Sequence, residues 1–377
     1  MKSFRLFFAS AMTVLVSCTI CQAQNIGGQP IDSLPAIKEN GVIREYWGNT
    51  DKYLFYQNAT LLNYADNILD QEGPSAKPSD ARNLALAAID AAVHDDRSSM
   101  TFLNVFMSFR WMKVLDHLAN GPVVHPDQSP HQHAKAEAVE VVKLYNDGFI
   151  VRSESVTLGF DLCGTRNQDI IKDHKMISDG NMEKFIGLCD ALFISHKDPD
   201  HCDRNVIEIA KRLGVPVYGP QDTGFDYVKG YRSDDFSEVE LTLNSGKKIE
   251  AIAIPGHQDE LQNNIWMITL PEKRTVVHFG DQWKKEDVQW LKDIKQKVDK
   301  TVDVLIIDCW AMQLEAMIKA FAPAYVISGH ENEIGHSIDH REAYWLTQYK
   351  FDKIATGIPS LVMAWGEWVE LYLYRSN

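Results

Sequence analysis

The stretch Ile194-Ser195-His196-Lys197-Asp198-Pro199-Asp200-His201 decides how this chain is read. It follows an apolar run, Ala191 to Ser195, that reads as a strand, and precedes a segment from about Arg204 to Leu213 that reads as a helix. It therefore belongs on a strand-to-helix loop, where His196, Asp198, Asp200 and His201, bent together by Pro199, converge on a small volume. Imidazole and carboxylate are ligands for zinc, and equally for manganese or iron. Three later segments repeat the placement: Ile252-Ala253-Ile254-Pro255-Gly256-His257, Val276-Val277-His278-Phe279-Gly280-Asp281 and Tyr325-Val326-Ile327-Ser328-Gly329-His330. Each sets a ligand-type residue just past an apolar run, with a glycine before it that allows a tight turn. His278 lies within its run and reads as a packed histidine.

Outward from that stretch the chain divides by texture. From residue 146 onward short β-type runs (149–151, 156–160, 215–218, 239–243, 249–254, 264–270, 275–279, 304–307, 325–328 and an alternating 368–374) are interleaved with helices at 204–213 and 284–298 and one between the strands at 304–307 and 325–328. This mixture predicts a layered α/β domain. Before it the pattern is helical: 54–69, a capped Ala-rich helix opened by Pro78-Ser79-Asp80, 99–119, and 134–145 stopped by Asn146-Asp147-Gly148. In the third of these, Phe102, Val105, Phe106, Phe109, Met112 and Leu115 recur near helical spacing and predict one apolar face.

The ordered set of ligand types resembles the metallo-β-lactamase superfamily. Gly159-Phe160-Asp161 resembles that family's early structural Asp, His196 to His201 its central HxHxDH motif, and His257, Asp281 and His330 the remaining ligands. The resemblance covers roughly 150–377 and departs at one position: Asp198 stands where the family has the second His, giving HxDxDH. It implies an α/β fold, a four-layer αββα metallo-β-lactamase sandwich carrying an amino-terminal helical extension. It also implies one or two divalent ions, zinc first, with manganese or iron as alternatives. By the family's division of labour, one ion falls to His196, Asp198 and His257. The other falls to Asp200, His201 and His330, with Asp281 bridging and Asp200 orienting the attacking water. The Asp198 exchange adds negative charge and favours a harder ion. Trp283, Glu333 and His336 are candidates for the substrate pocket. The expected activity is hydrolysis of an ester, lactone, amide or phosphodiester bond by a metal-activated water. The alternative is a catalytically degenerate binding or structural protein of the cell envelope.

Composition sets bounds on this. With 377 residues, 45% hydrophobic, and 38 basic against 52 acidic side chains, the chain has material for a sizeable core and no basic excess to displace counterions from a nucleic acid. A small-molecule substrate is expected, no nucleic acid, and a homodimer is possible on the helical extension. Residues 1–23 read as an export signal: Lys2 and Arg5, then an apolar run, then Cys21 and Ala23 at the −3 and −1 positions. Cleavage there predicts a periplasmic or secreted protein. Leu15-Val16-Ser17-Cys18 resembles a lipobox and leaves open a lipoprotein, membrane-attached only through an acylated Cys18. The expected organisation is signal 1–23, leader and helical extension 24–145, and metallo-β-lactamase-fold domain 146–377. Cys163, Cys189, Cys202 and Cys309 match no disulfide framework, and buried thiols are at least as good a reading.

Overall fold

The structure is a computed structural model that describes residues 61–94, 99–121, 137–164, 175–231, 238–258, 261–336 and 340–373. The expected signal, leader and lipobox lie outside the described residues. The chain divides into two compact units, Met1–Glu72 with Ser79–Phe106, and Gly73–Pro78 with Met107–Asn377.

The first unit contributes helix α1 (61–69) and helix α2 (Asp80–Val93). Ser79 caps α2, its hydroxyl accepting from the Arg82 N–H, and Asp80 adds a carboxylate to the positive first turn. Helix α3 (Ser99–Asn120) straddles the boundary. Its buried face is Leu103, Phe106, Met107, Arg110, Trp111, Val114 and Leu118, whereas Val105 and Met112 of the expected stripe are exposed. The reason is that Arg110 belongs to the buried face. Its guanidinium donates to the carbonyls of Trp365 and Gly366, which rotates the stripe away from a purely apolar register.

The second unit is built on two seven-stranded sheets. The first runs β14 (Glu367–Leu373), β1 (Glu137–Lys143), β2 (Phe149–Arg152), β3 (Thr157–Phe160), β4 (Ala191–Phe193), β5 (Val217–Pro220), β6 (Val228–Tyr231). The second runs β13 (Ser360–Leu361), β12 (Tyr325–Gly329), β11 (Val304–Asp308), β10 (Thr275–His278), β9 (Leu261–Thr269), β8 (Lys248–Gln258), β7 (Glu238–Thr242). Each sheet is antiparallel along one half and parallel along the other. Side chains from both sheets meet in one core, among them Val141, Phe149, Phe160 and Phe193 against Trp266, Ile268, Val276 and Ile306. No helical residue belongs to that core. The crossovers α4 (Asp179–Gly187) and α5 (Arg204–Leu213) on one sheet, and α6 (Val288–Lys297), α7 (Leu314–Phe321) and α8 (Tyr344–Lys353) on the other, therefore cover the outer faces. The architecture is the expected αββα sandwich.

One expected element is corrected. The sequence predicts a helix over 134–145, but Glu137–Lys143 is strand β1, paired on both sides with β14 and β2. Ala, Glu and Lys favour a helix locally, yet both faces of this segment are buried. Val139 and Val141 enter the sandwich core, while Glu140 meets Arg152 and His117, and Lys143 meets Glu331. Tertiary partners for two buried charges override helix propensity, and the sandwich includes residues before 146.

No helix of the described residues is long and apolar enough to cross a membrane. Cys163, Cys189, Cys202 and Cys309 are all buried free thiols, with no disulfide among them.

Candidate metal centre

The ligand-type residues gather at the carboxyl ends of strands, where chain leaving a rigid sheet can be aimed. Asp161 follows β3, Ser195 to His201 follow β4, Asp281 follows β10 and His330 follows β12. Trp266 of β9 donates its indole N–H to the Ile194 carbonyl at 2.8 Å and so ties the other sheet to the start of the central loop.

The glycines before these residues act differently from one another. Gly280 has φ +54°, and a Cβ there would stand 2.4 Å from the Ser195 Cβ. Gly329 is required by space instead: a Cβ would lie 1.8 Å from Asp147 Oδ1, and the left-handed residue is His330 itself, φ 69°. A side chain has no room at either glycine, and Gly280 also takes a backbone conformation that glycine adopts without strain.

The Nε2 atoms of His196, His201 and His330 are buried and have no hydrogen-bond partner, and neither has Asp281 Oδ1. They converge. His201 Nε2 lies 3.0 Å from Asp281 Oδ1 and 3.1 Å from Asp200 Oδ2, and His330 Nε2 lies 3.4 Å from each of the same two oxygens. His196 Nε2 stands 3.5 Å from the other Asp281 oxygen, Oδ2, and 3.5 Å from Asp198 Oδ2. Asp281 thus turns one oxygen to each group of histidines. His196, His201 and Asp281, and likewise Asp200, His201 and His330, present ligand atoms within 4.8 Å of one another. Unpartnered buried nitrogens facing carboxylate oxygens cost several kcal/mol unless a proton or a cation sits between them. This donor set fits a divalent cation.

The inner nitrogens are held from behind. Asp161 Oδ2 lies 2.8 Å from His201 Nδ1 and accepts from the Ser195 hydroxyl, while Asp161 Oδ1 accepts from the Ser195 N–H at 2.7 Å. The Ser195 hydroxyl is 2.9 Å from His196 Nδ1. These contacts direct each Nε2 outward, as a carboxylate behind a metal-bound imidazole does. Asn146 donates from Nδ2 to Asp200 Oδ2 at 3.0 Å and steadies that carboxylate.

Charge in the cluster is strongly coupled. Burial works against ionisation of Asp200 and Asp281, but the adjacent His201, together with His330, holds both carboxyls well below their usual range. Burial likewise opposes protonation of His201 and His330, yet Asp281 and Asp200 keep both imidazoles protonated well above theirs. A cation binding here displaces those protons. Burial pushes Glu333 up to about 8, helped by Asp200, and pushes Asp308 up to about 8.

Of the residues expected from sequence, His196, Asp198, Asp200, His201, Asp281 and His330 are brought together. His257 lies on β8, opposite Gln262 of β9, and its side chain is outside the described residues. Glu333 and His336 stand beside His330, with Glu333 Oε2 3.9 Å from His330 Nε2 and 3.2 Å from His336 Nε2. Trp283 is half-buried next to Lys284, and its carbonyl accepts from the Met312 N–H; no contact places it against the cluster. His278 is packed, stacked on Phe160 with centroids 5.4 Å apart and facing Asp147. Nothing in the pattern of ligand types points to Asn146, Asp147, Ser195 or Asp308. For Asn146 a signal existed, since an Asn before Asp-Gly suits the left-handed φ of 58° it adopts, but that signal marked only a chain turn.

No family model matches the chain, and no curated protein matches it in sequence. Among solved structures it is similar to Igni18, a metallo hydrolase from Ignicoccus hospitalis, at 17% identity, covering 62% of this chain and 98% of that one with a TM-score of 0.48. It is similar to CmlA, a diiron β-hydroxylase from Streptomyces venezuelae, at 15% identity, covering 63% and 54% with a TM-score of 0.43. A third is the isothiocyanate hydrolase from Delia radicum gut bacteria, at 14% identity, covering 61% and 98% with a TM-score of 0.42. The two mixed sheets, with ligand-type residues at their strand ends, have the architecture of the metallo-β-lactamase fold.

Proposed function

We propose that this protein is a metal-dependent hydrolase. One observation carries the reading: buried, unpartnered Nε2 atoms of His196, His201 and His330 converge on the two oxygens of Asp281. One ion would be held by Asp200, His201 and His330, a second by His196, Asp198 and His257, with Asp281 between them. Bound there, a divalent ion lowers the pKa of a water and polarises a carbonyl or phosphoryl oxygen.

The protein's own groups do the rest. Asp200, steadied by Asn146, would orient the water, take its proton as the oxygen bonds to the carbonyl carbon or phosphorus, and return that proton to the leaving alcohol or amine as the scissile bond breaks. Asp161 and Ser195 keep His201 and His196 in the ligating tautomer. The substrate is a small molecule with an ester, lactone, amide or phosphodiester bond. Export by the 1–23 segment would place the enzyme in the periplasm or outside the cell, or on a membrane if Cys18 is acylated.

The test is elemental analysis of the purified protein with anomalous scattering from its crystals, followed by a hydrolysis screen on esters, lactones and phosphodiesters. Stoichiometric metal that is lost in His201→Ala is expected. Metal-free protein after reconstitution would overturn the hydrolase reading and favour the other, a degenerate binding or structural protein. The mass of the mature amino terminus separates an acylated Cys18 from a free Gln24.

A further inference from the structure

The loop after β12 sorts its side chains by alternating them between two environments. His330 and Asn332 both take left-handed backbone, φ 69° and 59°. Glu331 turns inward, paired with the buried Lys143, whose ammonium also donates to the Ser328 carbonyl at 2.9 Å. The Asn332 N–H donates to the Glu342 carbonyl, and the Ile334 N–H to the Tyr145 hydroxyl at 3.1 Å. A loop pinned at 331, 332 and 334, on both sides of Glu333, leaves that residue little choice of direction, and Glu333 turns to the same side as His330.

Glu333 is 4% exposed, and its Oε2 is buried without a hydrogen-bond partner. That oxygen stands 3.9 Å from His330 Nε2, the atom that also faces Asp200 Oδ2 and Asp281 Oδ1 at 3.4 Å. Its other neighbour is His336, which is 45% exposed in its side chain and 3.2 Å away. A buried carboxyl oxygen with no well-formed hydrogen bond, between the solvent-facing His336 imidazole and a candidate metal ligand, is costly to keep ionised unless a cation completes it.

We propose that Glu333 is a direct ligand of the ion held by Asp200, His201 and His330, and that it makes this site selective for a hard divalent ion such as manganese over zinc. The inference rests on the metal reading given above. Glu333 would add a third carboxylate to Asp200, Asp281 and the imidazoles of His201 and His330; five such ligands exceed the four positions zinc prefers and suit a hard octahedral ion. Glu333 is thereby moved from the substrate pocket to the metal.

The experiment uses the full chain, stripped by chelator and reloaded with manganese or zinc alone. Calorimetric titration against a competing chelator and the electron paramagnetic resonance spectrum of bound manganese are read for the native protein and for Glu333→Gln. We expect at least a tenfold loss of manganese affinity, a smaller loss for zinc, and an altered manganese spectrum. Unchanged affinity and spectrum in Glu333→Gln overturn the proposal. If that variant fails to fold, manganese-loaded native crystals decide: a Glu333 oxygen about 2.0–2.2 Å from the anomalous peak supports it, and one beyond hydrogen-bond range overturns it. Native protein that binds neither metal removes the hydrolase reading as well. Metal bound without Glu333 removes only this inference.

Discussion

Asp161 is the residue on which the geometry of the centre turns, although it lies behind His201, on the ring's Nδ1 side. Its two oxygens hold the Ser195 hydroxyl, the Ser195 N–H and His201 Nδ1. Asp161→Asn should weaken metal binding about 10–100-fold with little change in secondary structure. Calorimetric metal titration with circular dichroism checks this, and native-like affinity would show that the His201 ring is held by packing alone. At Gly329 the constraint is steric. Gly329→Ala drives a methyl into Asp147 Oδ1 and should cost about 1–3 kcal/mol, read as a lower urea midpoint with an unchanged slope. The ligand types at 196–201, 281 and 330 were visible in the sequence, because strand-end histidines and aspartates are rare as a repeated pattern. The residues behind them were not. Ser195 and Asn146 are common strand-end and turn residues, and only proximity in space gives them a task.

At the scale of an element, β1 shows where local preference gives way. Its sequence, with Ala, Glu and Lys among valines, suits a helix, and the helix was the natural expectation. In the sandwich it is a strand buried on both faces, with Lys143 reaching Glu331 across to the loop that carries His330. Lys143→Met leaves the Glu331 carboxylate buried without its cation and should destabilise the protein by about 3–5 kcal/mol. Lys143→Met with Glu331→Leu together should recover much of that loss. Thermal unfolding of the single and double variants tests the pair, and additive losses would mean the two charges act independently. The strands that end in ligand residues were legible because apolar runs with a terminal glycine are unambiguous. Strands β6 and β13 and helices α4 and α8 lacked such patterning.

For the whole molecule, metal and pH are the two external handles. If the centre binds its ion as proposed, saturation at about a thousandfold over the dissociation constant should raise stability by about 4 kcal/mol, and chelator should reverse it. A melting temperature indifferent to chelator would contradict the metal reading. Acid sensitivity has a separate source on the surface. Hydrogen bonds from Lys300 and Lys273 hold Glu250 down to about 2, against an ordinary value of 4.5. The folded-state pKa is depressed, so this contribution is present above about 4.5 and is lost as pH falls toward 2. Solvent screening limits it to about 1 kcal/mol. Glu250→Gln should therefore narrow the stability difference between pH 6 and pH 3 in urea titrations, and an unchanged difference would assign the acid loss elsewhere.

By itself the sequence determined the class of chemistry and its places along the chain: histidines and aspartates set just past apolar strands. Hydrophobic periodicity and residue type are local properties and survive in one dimension. The tertiary structure alone decided which oxygen of Asp281 faces which histidine and that 137–143 is a strand. It also decided that Glu333 faces His330 while Glu331 faces Lys143. Those outcomes depend on burial and on distant partners, Glu331 standing 188 residues from Lys143 and β14 further still along the chain. Leaving a buried charge without its partner costs more than the local helix preference of a few residues supplies.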